Sequence, residues 1–177
     1  GRCGSGSTVD IVEGMLWAAG GSIPGVPANP TPARVVNLSI GGPGECTTFE
    51  QEAFDEALSR GALVVVSAGN DNDNADGYSP ASCYGVSTVV ATDPYGYRAS
   101  YSNYSAYADI SAPGGDSSRY TESDGVLSTV DTSTSAPSGN YAYDWLNGTS
   151  MAAPHVTGVG SLMLSVNSSL TPSQMKG

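Results

Sequence analysis

Ser150 is the side chain on which chemistry is most readily built. It lies in the run Asn147 to Gly158, N-G-T-S-M-A-A-P-H-V-T-G. Gly148 lets the chain turn sharply, Thr149 is a preferred N-cap type, and the apolar stretch Met151 to Met163 predicts a buried helix. Ser150 then stands at a helix N-terminus, where unpaired N–H groups and the positive end of the helix dipole favour a developing negative charge. That placement suits the nucleophile of an acyl-transfer reaction. The alternative is a serine that merely starts a core helix. Pro154 is hard to reconcile with a helix built for stability alone, because its missing N–H leaves the Ser150 carbonyl without its i+4 donor. Beyond it Val156, Val159, Leu162 and Met163 recur at helical spacing, and Gly158 and Gly160 invite close approach of a neighbour.

A serine nucleophile needs a base within hydrogen-bond reach and a group to orient that base. The only histidine is His155, five residues after Ser150 on the same helix. At about 100° per residue it points roughly 140° around the axis from the nucleophile. It reads instead as a buried histidine hydrogen-bonded within the fold. Asp93, Asp109 and Asp131 have no histidine to orient.

The elements that must position Ser150 follow from periodicity. Asp10 to Ala19 reads as an amphipathic helix stopped by Gly20 and Gly21, and Val35 to Ile40 as a short buried strand. Phe49 to Arg60 reads as a second helix with Phe49, Ala53, Phe54 and Leu58 on its buried stripe, followed by an almost continuous apolar strand, Ala62 to Ala68. Strand, helix, strand implies a right-handed crossover and a parallel sheet. Gly69 and Asn70 then fall at a carboxyl strand end, where functional groups of such sheets collect, although an Asn there is ordinarily a turn residue. Further strands are expected at Ser87 to Ala91 and from Asp109–Ile110 to Gly114, an insertion at Asp116 to Asp124, and a hairpin at Gly139 to Leu146 feeding the serine turn. Thr171-Pro172-Ser173-Gln174 signals another helix start.

At 177 residues with 39% hydrophobic content the chain is expected to form one domain, and no apolar run approaches a membrane span. A formal charge of −11 disfavours nucleic acid and anionic membrane as partners. The acidic loop Asp71 to Gly77 reads as a solvated loop, with calcium as the alternative. Three cysteines, Cys3, Cys46 and Cys83, leave one without an internal partner. Asn37, Asn103, Asn147 and Asn167 match the glycosylation pattern and are expected to be unmodified.

The run G-T-S-M-A-A-P-H-V resembles the nucleophile motif of the subtilisin-like serine proteases, in particular their bacterial extracellular and proteinase K-like members. N-L-S-I-G-G at Asn37 to Gly42, V-V-V-S-A-G-N at Val64 to Asn70, S-P-A-S at Ser79 to Ser82 and S-Y-S-N-Y at Ser100 to Tyr104 follow the family's order, so the resemblance covers nearly the whole chain. It implies a three-layer α/β/α fold with a mostly parallel central sheet, incomplete at its N-terminus, with residues 1–177 forming the carboxyl-terminal part of one catalytic domain. It implies a secreted endopeptidase in which Ser150 attacks the scissile carbonyl and Asn70 donates to the oxyanion. Cys3, Gly4 and Ser5, within Arg2 to Gly6, would form one cleft wall and Ser39, Ile40 and Gly41 the other. Ser67, Ala68, Gly69 and Tyr78 would line an S1 pocket with no clear charge at its base, suited to a large apolar P1 residue of a protein or peptide substrate. Carbonyls of Tyr84 and Val86 would join the Asp109 carboxylate around a structural Ca2+.

The sequence departs from the family in lacking the catalytic Asp and His, which precede this region in relatives. An upstream segment, separate or missing, is the expected partner, and the chain alone is expected to be inactive. A cysteine bridge is expected between Cys3 and Cys46, leaving Cys83 for an outside partner, with other pairings open. The rival reading is a non-catalytic peptide-binding module.

Overall fold

In the computed structural model, which describes residues 6–133 and 139–177, the chain folds around a four-stranded sheet. Helix α1 (Thr8–Ala18) is capped by Ser7, whose side chain accepts from the Asp10 N–H. The chain then enters β1 (Val35–Leu38), the short β2 (Gly42–Pro43) and α2 (Thr48–Ser59). The central strand β3 (Leu63–Ser67), the short β4 (Tyr78–Ser79), β5 (Ser87–Thr92) and β6 (Ile110–Pro113) follow. A hairpin of β7 (Val126–Asp131) and β8 (Tyr141–Leu146) leads to α3 (Thr149–Val166) and α4 (Pro172–Lys176). The sheet order is β1-β3-β5-β6, with every pairing parallel.

β3 shows why the layers form. All five of its residues are buried, and the period of two splits them between two cores. Val64 and Val66 face Val12, Met15, Ala53, Phe54 and Ala57 from α1 and α2. Leu63 and Val65 face Ala152 and Ala153 of α3 and Met175 of α4. The expected α/β/α sandwich is therefore present.

Three local expectations change. α2 buries Glu50, Ala53, Phe54 and Ala57 while Phe49 is 48% exposed, because Glu50 closes a capping box with Thr47 and turns the helix accordingly. α3 is buried only along the face bearing Ala152, Ala153 and Gly160, and Val159, Leu162 and Val166 are exposed. Gly160 packs on Val35 and Leu63, whereas Gly158 faces open space. The bridge joins Cys46 to Cys83, Cα atoms 5.1 Å apart, not Cys3 to Cys46. Cys83 is buried against the α1–α2 core beside Cys46, which gives it an internal partner at the amino end of α2; Cys3 lies outside the described residues. Asp116 is fully buried and accepts from the Ser100 N–H at 2.7 Å. No helix among the described residues is long and apolar enough to cross a membrane.

Candidate active site

The carboxyl ends of β1 and β3 and the N-terminus of α3 converge on Ser150. α3 starts at Thr149 with Gly148 as N-cap, at φ 154° and ψ 156°, a conformation that L side chains rarely adopt. Thr149 is therefore the first helical residue and not the cap. Its side chain has other work: Thr149 N and Oγ1 both donate to Asn70 Oδ1, at 2.8 and 2.9 Å, and Oγ1 accepts from Gly69 N at 3.2 Å. With Oδ1 committed to these two donors, the Nδ2 end of Asn70 is left as a donor beside Gly148. Ser150 Oγ donates to Ser39 O at 3.3 Å.

Pro154 acquires a structural partner here. The Ser150 carbonyl, deprived of the N–H of residue 154, accepts from Ser39 Oγ at 2.8 Å. Ser39 thus ties the cleft wall to Ser150 twice, its hydroxyl donating to the Ser150 carbonyl and its carbonyl accepting from the Ser150 hydroxyl.

Ser39, Ile40, Gly41, Ser67, Gly69, Asn70, Tyr78 and Ser150 line one cleft of ≈ 670 Å³. Ala68 contributes no lining surface; it is fully buried. A Cβ at Gly41 would lie 3.0 Å from the Ser79 carbonyl, so the glycine is needed for the wall's own packing. Cys3, Gly4 and Ser5 lie outside the described residues; Gly6 lines the cleft.

Two acidic residues, Glu50 and Asp71, also line the cleft. Burial by itself would raise the Glu50 pKa, but hydrogen bonds from Ser79 Oγ (2.5 Å) and from the Thr47 N–H and hydroxyl win and hold it below the usual value. Burial and the neighbouring Asp71 carboxylate push the Tyr78 phenol up, so Tyr78 presents a neutral hydroxyl and an apolar ring.

His155 is exposed rather than buried, and its Nδ1 is 2.8 Å from the Met151 carbonyl one turn earlier on α3. It remains on the helix, as expected, and away from the role of base.

The three atoms expected to hold calcium are already engaged. Tyr84 O accepts from Gln51 Nε2 at 3.1 Å, and Val86 O accepts from Lys176 Nζ at 2.6 Å. Asp109 pairs with the same ammonium at 3.0 Å and accepts from Thr88 N at 2.8 Å. An ammonium thus bridges two of the three donors that the resemblance assigned to Ca2+, and it would have to be displaced for a divalent ion to bind there. Nothing in the sequence near Asp109 signals this, because Lys176 arrives from α4.

Sequence reasoning passed over the support given by the S-Y-S-N-Y segment. Ser100 anchors Asp116, and Ser102 Oγ accepts from Ala91 N at 2.9 Å. Tyr101 donates to the carbonyls of Gly114 and Gly115 at 2.9 and 2.7 Å, and Gly114 O in turn receives Gly148 N at 3.0 Å. Burial pushes the Tyr101 phenol up to about 12. The repeated hydroxyls were the available signal.

The Subtilase family model matches residues 1–177. The chain is 46% identical over 177 residues to "Extracellular protease" of Xanthomonas campestris pv. campestris, covering 99% of this chain and 29% of that protein. It is 44% identical over 179 residues to "Extracellular basic protease" of Dichelobacter nodosus, covering 99% and 28%. Among solved structures, a protease from Pseudoalteromonas arctica superimposes with a TM-score of 0.93 at 46% identity, over 97% of this chain and 50% of that one. A cold adapted subtilisin-like serine proteinase gives 0.74 at 33% identity, over 98% and 54%. The chain therefore spans about half or less of the length of the proteins it matches. With the family model matching from end to end and the serine turn, the loop after β3 and the parallel sheet in one frame, the chain belongs to the subtilase family.

Proposed function

We propose that this chain supplies the nucleophile, oxyanion hole and S1 walls of a secreted serine endopeptidase. Its residues form the carboxyl-terminal part of a single catalytic domain. The observation that carries this reading is the double hydrogen bond from Thr149 to Asn70 Oδ1. It fixes the amide of Asn70 beside the residue that precedes the nucleophile, with its Nδ2 end donating to none of the described residues. Ser150 Oγ attacks the scissile carbonyl and forms an acyl-enzyme. The developing oxyanion takes hydrogen bonds from Asn70 Nδ2 and the Ser150 N–H, both preorganised by the fold before charge appears. The general base and its orienting carboxylate come from a segment other than residues 1–177, since His155 is bound to Met151 O on the same helix. The chain by itself then has no triad-level activity.

The backbone walls at Gly41 and Gly69 and the ring of Tyr78 favour a large apolar P1 residue. Glu50 and Asp71 add tolerance for basic ones. Extracellular location is supported by relatives named as extracellular proteases and by the Cys46–Cys83 bridge, which persists in oxidising compartments.

Fluorophosphonate labelling of the full-length protein tests the reading: Ser150 reacts, and Ser150→Ala abolishes both labelling and peptide cleavage. Labelling or cleavage that survives this change refutes it. One observation favours a second reading, a peptide-binding module. The cleft is formed while the only histidine sits elsewhere, so peptide capture without cleavage by the full-length protein would support the binder.

A further inference from the structure

We propose that Asn103 is a positioning residue for the oxyanion donor Asn70, an inference that rests on the protease reading of the site. Residues 68–73 form an irregular loop with two left-handed residues, Gly69 at φ +102° and Asn72 at φ +52°. Its backbone meets the sheet at Ala68 N, which donates to Val89 O of β5, and otherwise pairs with the 101–104 segment, Asn72 N donating to Tyr101 O and Tyr104 N to Asp73 O, so its shape is set from outside. Asn103 imposes it. Its side chain is fully buried. Nδ2 donates to Ala68 O at 3.0 Å, and Oδ1 accepts from Asp71 N at 2.9 Å and Asp73 N at 3.0 Å. Its backbone N–H donates to Gly69 O at 3.0 Å.

These four bonds bracket Asn70 from both sides in sequence, while Thr149 grips the Asn70 side chain itself. The backbone on either side of Asn70 is thus held by one buried amide, and its Oδ1 by the nucleophile's helix. The residue type is specified by chemistry: the position needs one oxygen that takes two N–H groups and, on the same planar group, a donor for a carbonyl. Asp at this position keeps the acceptor but, when ionised, turns an oxygen toward Ala68 O. Leu offers neither. Gly69 has no room for a Cβ because Asn103 Nδ2 fills that space, which makes the glycine and the amide one unit. The anchor is itself fixed by its neighbours in the chain, Ser102 through Ala91 N and Tyr101 through the Gly114 and Gly115 carbonyls.

The test is a double-mutant cycle in the full-length protein, with rates normalised to active sites titrated by a fluorophosphonate. Removing an oxyanion donor outright costs about 10²–10³ in kcat, a value measured on subtilisin, and misplacing one costs part of that. Asn103→Asp, isosteric and the less disruptive of the two variants, lowers kcat about tenfold or more while KM stays within about twofold, as for an interaction made in the transition state. In an Asn70→Ala background the same change costs less than about threefold, because there is no donor left to position. Asn103→Ala follows the same pattern wherever it folds. Equal fold-losses in the two backgrounds, or a loss carried by KM, overturn the role. A parent that cleaves normally with an Asn103→Asp variant equal to it overturns the positioning role alone. A parent that neither cleaves peptide nor labels at Ser150 overturns the protease reading and this role with it.

Discussion

Removing the Ser39 hydroxyl should destabilise the protein by an amount that depends on the residue at position 154. In the parent, the Ser150 carbonyl has lost its helical donor to Pro154 and takes Ser39 Oγ at 2.8 Å instead. Ser39→Ala leaves that carbonyl without either donor in a half-buried place. An unsatisfied acceptor costs about 1–3 kcal/mol, and partial access of water puts this one toward the lower end, about 1–2 kcal/mol. With an m-value of about 2 kcal/mol/M, the urea midpoint falls by about 0.5–1 M. Pro154→Ala restores an N–H four residues beyond Ser150, so in that background Ser39→Ala should cost less than about 0.5 kcal/mol. The assay is equilibrium unfolding of four variants, all carrying Ser150→Ala to prevent self-digestion; that change leaves the Ser150 backbone carbonyl in place. A Ser39→Ala cost that is the same with Pro154 retained and in the Pro154→Ala background refutes the pairing. It would mean that Ser39 contributes through packing or through its other contacts.

Glu50 makes stability sensitive to acid. Its folded pKa lies below the ordinary 4.5, so its contribution is present above that value and is lost as pH falls through the folded pKa. Unfolding midpoints measured from pH 6 to pH 3 should fall more steeply for the parent than for Glu50→Gln, and parallel curves would contradict this. The Cys46–Cys83 bridge closes a loop of 37 residues, for which chain entropy gives about 4 kcal/mol; replacing both cysteines by serine should lower the unfolding free energy toward that amount, and no change in urea midpoint would count against it. Lys176→Met removes the ammonium from between the Asp109 carboxylate and the Val86 carbonyl, leaving hard oxygen donors. Millimolar calcium should then raise the melting temperature of the variant and not of the parent; a parent whose melting point drops with chelator refutes the assignment.

How far the sequence could be read depended on whether a feature was carried by side-chain type or by backbone geometry. The sheet was legible because β3 is an apolar, Val-rich run whose two faces are both covered, and the proposed site residues Ser150 and Asn70 can be singled out because their chemistry is in their side chains. The α2 stripe differs from expectation at both ends, Glu50 and Ala57 being buried in place of Phe49 and Leu58, and at the first of these because Glu50, a polar type, is drawn inward by Thr47 and Ser79. The disulfide was misassigned because pairing depends on the approach of two loops 37 residues apart, which local pattern does not encode. The surroundings of Asp109 were illegible for a related reason. Two of the three donors expected there were carbonyls, which every residue possesses, and the competing Lys176 comes from another element.

The same distinction explains why the site's supports lie in a segment first read only for its resemblance. A catalytic serine and an oxyanion amide on separate elements are useful only if their relative position is kept to a fraction of an ångström. Neither β3 nor α3 can do this alone, since both end where the site begins and leave irregular backbone between them. The S-Y-S-N-Y segment spans that gap: Asn103 holds the loop after β3, and Tyr101 holds Gly114 and Gly115, on which Gly148 rests. Thr149 closes the circuit by joining Asn70 to the first turn of α3. The Asn103 and Tyr101 links are side chains bound to backbone, so each of them can be cut singly. Loss of Asn103 should act through Asn70 and loss of Ser39 through the Ser150 carbonyl. Because the two act on different partners, their effects on stability should add.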